Sequence, residues 1–398
     1  MSRRLLVCLL CGSIVIALSV GFRQAFGLFL RPVTMDLAIS REAFGLIIGF
    51  QNLLWGLTQP CAGFLADKFG AARVVVVGGL LYFAGLGLGA VSTGSYSFGL
   101  TIGVLVGLAQ SGTAYAVVLG AIGRAAPPEK RSLALGISST AGSIGMFALV
   151  PATQGLVSTI DWRWTLVICA SFTLLMPLLA IGLKDSTTAL APSVPAVRAK
   201  DALMIAAKHP DFWMLSAGFA ACGFQLAFLA IHLPSVLIDS GLTASTGAAA
   251  LALIGFSNVI GTYLCGMLGG RYRKNKVLAL LYLARTALFV LFLSMPTSQG
   301  SALLFAFAIG LVWTGTVPLT NGLLADIFGS RYIGLLFGTV YVGHQLGAFA
   351  GAWAGGLSFD RTGSYAVVWV AAISIGILAA LLHWPIRDEP LGTSEAHA

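Results

Sequence analysis

The segment Gly21-Phe-Arg-Gln-Ala-Phe-Gly-Leu-Phe-Leu-Arg-Pro32 recurs 202 residues later as Gly223-Phe-Gln-Leu-Ala-Phe-Leu-Ala-Ile-His-Leu-Pro234. The two copies share Gly, Phe, Ala, Phe and Pro at matching positions. Arg23 of the first copy aligns with Gln225 of the second. The repeat predicts that the chain consists of two related halves with matching helices.

Three more sets of landmarks recur at nearly the same spacing. Residues 63–73 align with residues 266–276 at an offset of 203. The other matches, at offsets of 203 and 202, are Gly107, Gly112 and Thr113 with Gly310, Gly315 and Thr316, and Gly136 and Gly145 with Gly338 and Gly347. A nearly constant offset through four landmarks indicates that a whole unit was duplicated, not one motif.

The composition of the chain is that of a membrane protein. Of its 398 residues, 58% are hydrophobic and 9% are charged, values that a soluble domain with a polar surface does not reach. Apolar segments long enough to cross a hydrocarbon core of roughly 30 Å recur twelve times. The predicted spans are residues 5–30, 44–66, 74–93, 98–123, 132–157, 164–183, 211–238, 246–269, 277–294, 301–324, 333–358 and 365–384. We therefore predict an all-α membrane protein whose twelve transmembrane helices form two pseudo-symmetric six-helix bundles.

Basic residues are distributed unevenly between the two sides of the membrane. Seventeen of the 23 Lys and Arg residues fall on the side of the N-terminus. By the positive-inside rule, both termini are predicted to be cytoplasmic, in an inner membrane. The net charge of +9 is then explained by topology, and we expect no nucleic-acid partner. The charged, proline-containing residues 185–210 are predicted to form a cytoplasmic linker between bundles at residues 1–184 and 211–398.

The sequence offers no motif for a metal, a cofactor or an enzyme. The six cysteines all lie in apolar segments, where thiols are expected to be inert. Gly85-Leu-Gly-Leu-Gly89 falls within span 3 with no strand before it, so it is not a dinucleotide loop. An H-E-x-x-H motif or an acid and histidine pair at a membrane face is absent from the sequence. We therefore expect a non-enzymatic protein with no metal and no cofactor.

The loop between spans 2 and 3 carries a recognisable motif. Gly63-x-x-x-Asp67-Lys68-x-Gly70-x-x-Arg73 resembles the signature loop of the major facilitator superfamily, and the resemblance covers the whole chain. Asp67 would cap a helix or pair with a basic residue, Gly70 would permit a tight turn, and Lys68 and Arg73 would stay in the cytoplasm. These four residues are expected to form a structural or gating loop. The resemblance implies a two-lobed carrier with alternating access, whose site between the lobes is lined by spans 1, 4, 7 and 10.

Two sequence patterns indicate a particular branch of this superfamily. GxRxxFGxFxxP of span 1 and Gly347-Ala-Phe-Ala-Gly351 of span 11 are similar to the bacterial monocarboxylate and oxalate/formate porter branch. Many members of that branch carry a basic residue on span 8, and the oxalate porters carry another on span 11. The corresponding regions here contain Asn258, Thr262, His344 and Gln345, which disfavours a dicarboxylate such as oxalate. The resemblance also implies that span 9 is an outer support helix, so Arg285 is expected to be peripheral.

Arg23 places a positive charge inside an apolar span, which costs a few kcal/mol. It shares a helical face with Gly12, Ser19 and Gly27, which predicts that it projects into the bundle. All 14 Asp and Glu residues lie at helix ends, in loops or in the tail, so an anionic substrate would supply the missing counter-charge. Their position argues against a carrier of organic cations and against a proton-driven drug exporter. The alternative is that Arg23, about 10 Å from the outer end, snorkels to the interface or makes a structural bond.

Other polar residues on the spans complete the candidate site. Arg23 would neutralise the substrate, and the residues expected to orient it are Gln110, Tyr115, Gln225, Tyr341 and His344. His232 and His344 are the candidates for proton coupling, because the unperturbed imidazole titrates near neutral pH. The alternative for each histidine is a hydrogen-bonded packing role. Asp36 and Asp239, at matching outer ends of spans 1 and 7, are either gate residues or simple helix-end charges.

These observations predict a secondary active transporter that moves a small, monocarboxylate-like organic anion across the inner membrane by alternating access. Proton symport is the preferred coupling, and exchange against another anion is the alternative. A monomer in the lipid bilayer with a small-molecule substrate is expected. A carrier or exporter of a neutral heterocycle, vitamin or drug-like solute is the second interpretation, in which Arg23 is structural. A multipass enzyme or a sensor is the remote third.

Overall fold

The computed structural model describes residues 3–184, 199–329 and 333–388, and every regular element in these ranges is a helix. The helices follow the predicted spans in order: α1 (Arg3–Gln24, continuing as Phe26–Asp36), α2 (Arg41–Phe69), α3 (Ala71–Ala90), α4 (Ser95–Ala125), α5 (Pro128–Ile160), α6 (Trp162–Leu183), α7 (Pro210–Asp239), α8 (Ala244–Arg271), α9 (Lys274–Ser294), α10 (Gln299–Leu311 and Thr316–Phe328), α11 (Ile333–Thr362) and α12 (Ala366–His383). The predicted twelve-helix architecture is confirmed.

Residues 185–198 of the predicted linker lie outside the described residues. The rest of that stretch contains a short helix, Ala199–Lys208, and α7 begins two residues later at Pro210. The boundaries at residues 184 and 211 therefore stay predictions. For description, residues 3–184 are called the first half and residues 199–388 the second half.

The lengths and compositions of the helices suit a bilayer. Eleven of the described helices are long and apolar enough to cross a membrane. The remaining one, α2, is 29 residues long but carries Gln51 and Asn52 among its buried residues. Its ends are set locally: the Ser40 side chain accepts a hydrogen bond from a first-turn N–H at 3.0 Å, and Gly70 ends the helix with a φ of 91°.

Matched glycines bring helices together in the same way in both halves. Gly145 of α5 lies against the backbone of Ala17 on α1, and Gly347 of α11 lies against the backbone of Ala220 on α7. A Cβ atom at either glycine would overlap a backbone carbonyl. Small residues permit such close helix approach in membranes. The duplication read in the sequence is therefore also a duplication of helix packing.

The two halves contact each other on one side of the membrane. We call the side where α1 begins and α12 ends the terminal side, and the opposite side the distal side. On the distal side Gly45 of α2 lies against the Ala352 backbone of α11, whereas toward the terminal side a Cβ atom added at Gly136 or Gly338 would meet nothing within 4 Å. The apolar core of the first half continues across the distal contact into second-half residues, Ala227, Ile231, Ala348 and Ala352. Among the described residues, the two halves are therefore closed on the distal side and open on the terminal side.

Candidate substrate-binding site

Arg23 lies deep within the helix that carries it. After a one-residue break at Ala25, α1 continues to Asp36, so Arg23 is about 20 Å of helical rise from the distal end. The sequence had suggested about half that depth. The side chain is half-buried, and from this position it does not reach the distal interface by snorkelling.

The partners of the Arg23 guanidinium are neutral. Its Nε donates to Asn52 Oδ1 of α2 at 3.0 Å, and one terminal nitrogen donates to the same oxygen. The other terminal nitrogen donates to Gln24 Oε1 at 2.9 Å. Its Cζ lies 5.0 Å from the ring centroid of Trp55, in cation–π range. The described contacts orient the arginine without neutralising its charge.

Aromatic side chains extend from Arg23 to the second half. Trp55 of α2 meets Tyr341 of α11 edge-on with 5.8 Å between ring centroids, and Tyr341 stacks on His344 at 5.3 Å with the planes 3° apart. Phe219 of α7 lies 4.7 Å from His344. We call Trp55, Tyr341, His344 and Phe219 the central aromatic cluster. It spans the boundary between the halves beside the arginine, as a substrate site between lobes requires.

The two predicted site residues of α4 differ in accessibility. Gln110 is almost fully buried, and its Nε2 donates to the Tyr82 hydroxyl at 3.4 Å, which donates to the Ser19 carbonyl at 3.0 Å. Tyr115 begins the second part of α4, after Ala114 interrupts the helix, and its side chain is half-buried. Tyr115 is close enough to Arg23 to interact with it electrostatically. Gln110 therefore supports α1 through Tyr82, whereas Tyr115 is the more accessible of the two side chains.

Gln225 is held inside the second half by a second buried arginine. Its side chain is fully buried, with Nε2 donating to the Ala372 carbonyl at 2.8 Å and Oε1 accepting from Arg285 at 3.1 Å. Arg285 itself is 0% exposed. The expectation that Arg285 is peripheral was therefore wrong, because its side chain points from α9 inward to α7 and α10. In this conformation both ends of the Gln225 amide form hydrogen bonds with residues of its own half.

The two histidines occupy different places. His344 is 8% exposed within the central aromatic cluster, and its Nδ1 lies 3.0 Å from Gln345 Oε1. His232 is fully buried, and its Nε2 lies 2.8 Å from the Ala352 carbonyl on the distal side. Gly355 provides the space for the His232 ring, because a Cβ there would overlap it. His344 is beside the candidate site, and His232 belongs to the distal packing of α7 on α11.

The signature loop contains an ion pair within the first half. Asp67 Oδ1 lies 3.0 Å from Arg124 at the end of α4, and the Arg73 guanidinium donates to the Phe69 carbonyl at 3.2 Å. The Lys68 ammonium lies 5.2 Å from the ring centroid of Phe69. These contacts fasten the terminal ends of α2 and α4. They lie on the side of the molecule that is open.

The repeat is also visible in the hydrogen bonds of the interior. The Ser19 hydroxyl lies 2.9 Å from the Thr113 hydroxyl, and at an offset of 203 the Cys222 thiol lies 3.2 Å from the Thr316 hydroxyl. Each pair is contacted by a third residue, and these third residues, Tyr82 and Arg285, are also related by the offset of 203. Tyr82 donates to the Ser19 carbonyl in the first half, and Arg285 contacts the Cys222 thiol in the second. The same positions therefore join three helices in both halves, with different chemistry.

Sequence reasoning missed two important contacts. Asn52 was one of several polar residues on span 2, and nothing in its spacing singled it out as the partner of Arg23. Arg285 gave a signal that could have been used, since an arginine within an apolar span needs buried partners. Its counterpart at the offset of 203 is Tyr82, which is also fully buried.

Comparisons with known proteins agree with the fold. The sequence model of the Major Facilitator Superfamily matches residues 9–351. The uncharacterized MFS-type transporter YcxA of Bacillus subtilis (strain 168) is 25% identical over 387 residues, covering 95% of this chain and 94% of YcxA. Monocarboxylate transporter 13 of Bos taurus is 25% identical over 377 residues, covering 92% of this chain and 87% of that protein.

Solved structures share the architecture. A bacterial homologue of the human lysosomal transporter Spinster, in an inward-facing and occupied conformation, superposes with a TM-score of 0.77 at 16% identity and covers 94% of this chain and 95% of its own. The D-xylose-proton symporter superposes with a TM-score of 0.71 at 16% identity, covering 96% and 97%. At these identities the likeness concerns the fold alone. With the family match over most of the sequence, it follows that the chain belongs to the major facilitator superfamily and is a transporter, not an enzyme.

Proposed function

We propose that this transporter carries a small organic anion, with the charge and size of a monocarboxylate, by alternating access between its two halves. The observation that carries the proposal is the Arg23 guanidinium deep within a helix long enough to span a membrane, with neutral partners among the described residues. A buried charge without a counter-charge is costly, and a substrate carboxylate would remove that cost. The names of two relatives, monocarboxylate transporters 12 and 13, support the same substrate class.

The Arg23 guanidinium keeps hydrogen-bond donors for a ligand. A guanidinium has five N–H donors, and three hydrogen bonds to Asn52 and Gln24 use three of them. The two that remain suit a carboxylate, which accepts charge-assisted hydrogen bonds from arginine. Tyr115 would add a hydroxyl, and the central aromatic cluster would contact the apolar part of the anion. Gln110 and Gln225 would act indirectly, by fixing α1 and α7.

We further propose that a proton accompanies the anion and that His344 takes part in its transfer. Transport of one proton with one carboxylate is electrically neutral, which suits a bilayer. His344 is the better placed of the two candidate histidines, because it stacks on Tyr341 next to the Arg23 region, whereas His232 lies in the distal contact. Exchange against a second anion is the competing coupling, which the assay below separates.

The cellular setting is part of the proposal. An inner membrane with both termini cytoplasmic is supported by the 17 basic residues that the sequence assigns to the side of the N-terminus. The terminal side, which is open in this conformation, would then face the cytoplasm. We propose a monomer with bundles at residues 1–184 and 211–398 and a linker at residues 185–210.

Uptake into proteoliposomes tests the substrate class. A panel of monocarboxylates, dicarboxylates and neutral heterocycles would be offered to the native protein and to the Arg23→Gln and Arg23→Lys variants. We expect monocarboxylate uptake, its loss by tenfold or more in Arg23→Gln, and partial retention in Arg23→Lys. The matched control is Arg361→Gln, which removes an exposed arginine at the distal end of α11, and it should transport at the native rate. Native uptake of acids by Arg23→Gln would contradict the proposal.

An imposed pH gradient tests the coupling in the same vesicles. An inward proton gradient should accelerate uptake of the acid by the native protein and not by His344→Gln. The matched control is His232→Gln, which should keep the response. Uptake that ignores the gradient but requires an anion inside the vesicles would establish exchange instead.

The second candidate function is transport of a neutral, flat heterocycle. The stacked pair Tyr341 and His344 favours it, as does Trp55, whose buried Nε1 has no hydrogen-bond partner among the described residues. Such a solute would bind by stacking and by accepting that N–H, and Arg23→Gln would leave its uptake unchanged. The panel above therefore separates the two candidates in one experiment.

A further inference from the structure

The break in α10 is held by side chains from two other helices. Residues 312–315 interrupt α10, and helix interruptions leave backbone carbonyls and N–H groups without intrahelical partners. On one side of the break, Arg285 of α9 donates to the carbonyls of Val312 and Trp313 at 2.5 and 2.9 Å. A positive charge at this position also suits the negative end of the preceding helical segment.

Asn258 of α8 holds the other side of the break. Its Oδ1 accepts from the Thr314 backbone N–H at 3.0 Å and from the Thr314 hydroxyl at 2.9 Å. Thr262, one turn along α8, donates to the same oxygen at 3.2 Å. The side-chain oxygen of Asn258 thus accepts three hydrogen bonds from residues of the second half.

The amide nitrogen of Asn258 reaches the first half. Its Nδ2 donates to the Ser143 hydroxyl of α5 at 2.8 Å. On the distal side of this bond, α8 packs closely against α5. A Cβ atom added at Gly255 of α8 would lie 3.0 Å from the side chain of Met146 on α5. One turn toward the terminal side, Ser139 of α5 is exposed and donates to a carbonyl of its own helix at 2.7 Å. The Ser143 to Asn258 bond therefore joins α5 and α8 one helical turn from the exposed Ser139.

We propose that Asn258 is a positioning residue that couples the break in α10 to the approach of the two halves. One side chain satisfies both the Thr314 backbone and the Ser143 hydroxyl, so motion of α5 away from α8 removes one of the two anchors of Asn258. The proposal rests on the alternating-access part of the proposed function and not on the substrate. Arg285, whose partners among the described residues all belong to the second half, fixes the break whether the distal side is open or closed.

Amide hydrogen exchange of the purified full chain in lipid nanodiscs measures both ends of this coupling. Distal opening is reported by a peptide containing residues 41 and 42, whose backbone N–H groups donate to the Asp360 carboxylate of the other half at 3.3 and 2.6 Å. The α10 break is reported by a peptide containing residue 314. Ser143→Ala deletes the inter-half hydroxyl and leaves the contacts of Asn258 with Thr314 in place. Ser143→Thr keeps a hydroxyl, and Ser139→Ala is the matched control on the same helix.

We expect Ser143→Ala to raise the exchange rate of both peptides by about threefold, the factor that corresponds to the free energy of a typical interhelical hydrogen bond in membranes. Ser143→Thr and Ser139→Ala should match the native protein. Asn258→Ala should raise exchange at residue 314 more than Ser143→Ala does. In the double variant, the distal peptide should exchange no faster than in Asn258→Ala alone, because both substitutions remove the same hydrogen bond. Unchanged exchange in Ser143→Ala in either peptide, or an equal rise in Ser139→Ala, would overturn the proposal. Failure of acid uptake would overturn the substrate class and leave this inference standing.

Discussion

Arg41 of α2 and Asp239 of α7 form an ion pair that joins the two halves on the distal side, with 2.5 Å between nitrogen and oxygen. The equivalent aspartate of the first half, Asp36, pairs at 2.8 Å with Arg163 of its own half. The two aspartates are related by the repeat, at an offset of 203. One pair therefore must break when the distal side opens, and the other need not.

The first prediction follows from that difference. Arg41→Gln should shift the protein toward the distal-open conformation by roughly fivefold, about 1 kcal/mol for a partly buried pair. The shift would be measured as the distance between two spin labels on a background without native cysteines. One label is at residue 96, in the first turn of α4, and the other is at residue 297, in the distal loop between α9 and α10. Arg163→Gln is the matched control and should leave the distance distribution unchanged. Equal shifts in both variants would mean that the Arg41 pair is not a latch.

The second prediction concerns the buried Arg285. Arg285→Gln would leave the carbonyls of Val312 and Trp313 without donors, at a cost of about 1–3 kcal/mol for each buried group. We expect a lower thermal midpoint in detergent, with only partial recovery in Arg285→Lys, since an ammonium does not provide the planar fork that reaches these partners together. Arg271→Gln, at the exposed end of α8, is the control and should melt like the native protein. A native midpoint in Arg285→Gln would mean that the break in α10 does not depend on this side chain.

The third prediction tests the repeat in four variants. Gly145→Ala and Gly347→Ala should both destabilise the protein, because the added Cβ would overlap the backbone of Ala17 or Ala220. Gly136→Ala and Gly338→Ala should be neutral or slightly stabilising, since their Cβ atoms would meet nothing within 4 Å and alanine is the better helix former. Thermal unfolding of the four proteins checks this. A different ranking in the two halves would contradict the matched packing.

The sequence predicted the fold because the features that determine it are local or periodic. Apolar length fixed the twelve helices, and the constant offset linked Gly145 to Gly347 before any contact was known. The Arg285 environment was not predicted, because the repeat aligns it with Tyr82 and the shared role is carried by different chemistry. Conformation could not be predicted either, since the same hydrophobic pattern serves the distal-open and the distal-closed arrangement.

The site was predicted only in part for a similar reason. A polar side chain in an apolar helix indicates an interior face, but not which neighbour it meets. Gln225 was expected to orient the substrate, because the family resemblance implies that its span lines the site together with the span of Arg23. Its rotation toward α9 and α12 depends on Arg285 and Ala372, which lie far away in sequence. The pairing of Arg23 with Asn52 likewise depends on how α1 and α2 are rotated against each other.

The last prediction uses Asn52 to test the missing counter-charge directly. Asn52→Asp is nearly isosteric, keeps an oxygen for Arg23, and supplies within the protein the negative charge that the substrate is proposed to bring. An internal carboxylate would compete with the anion, so we expect the KM for a monocarboxylate to rise about tenfold, equivalent to ~1.4 kcal/mol. Asn52→Leu separates loss of the hydrogen bond from gain of charge and should raise KM less. Uptake kinetics in proteoliposomes provide the measurement, and an unchanged KM in Asn52→Asp would place the substrate carboxylate somewhere other than Arg23.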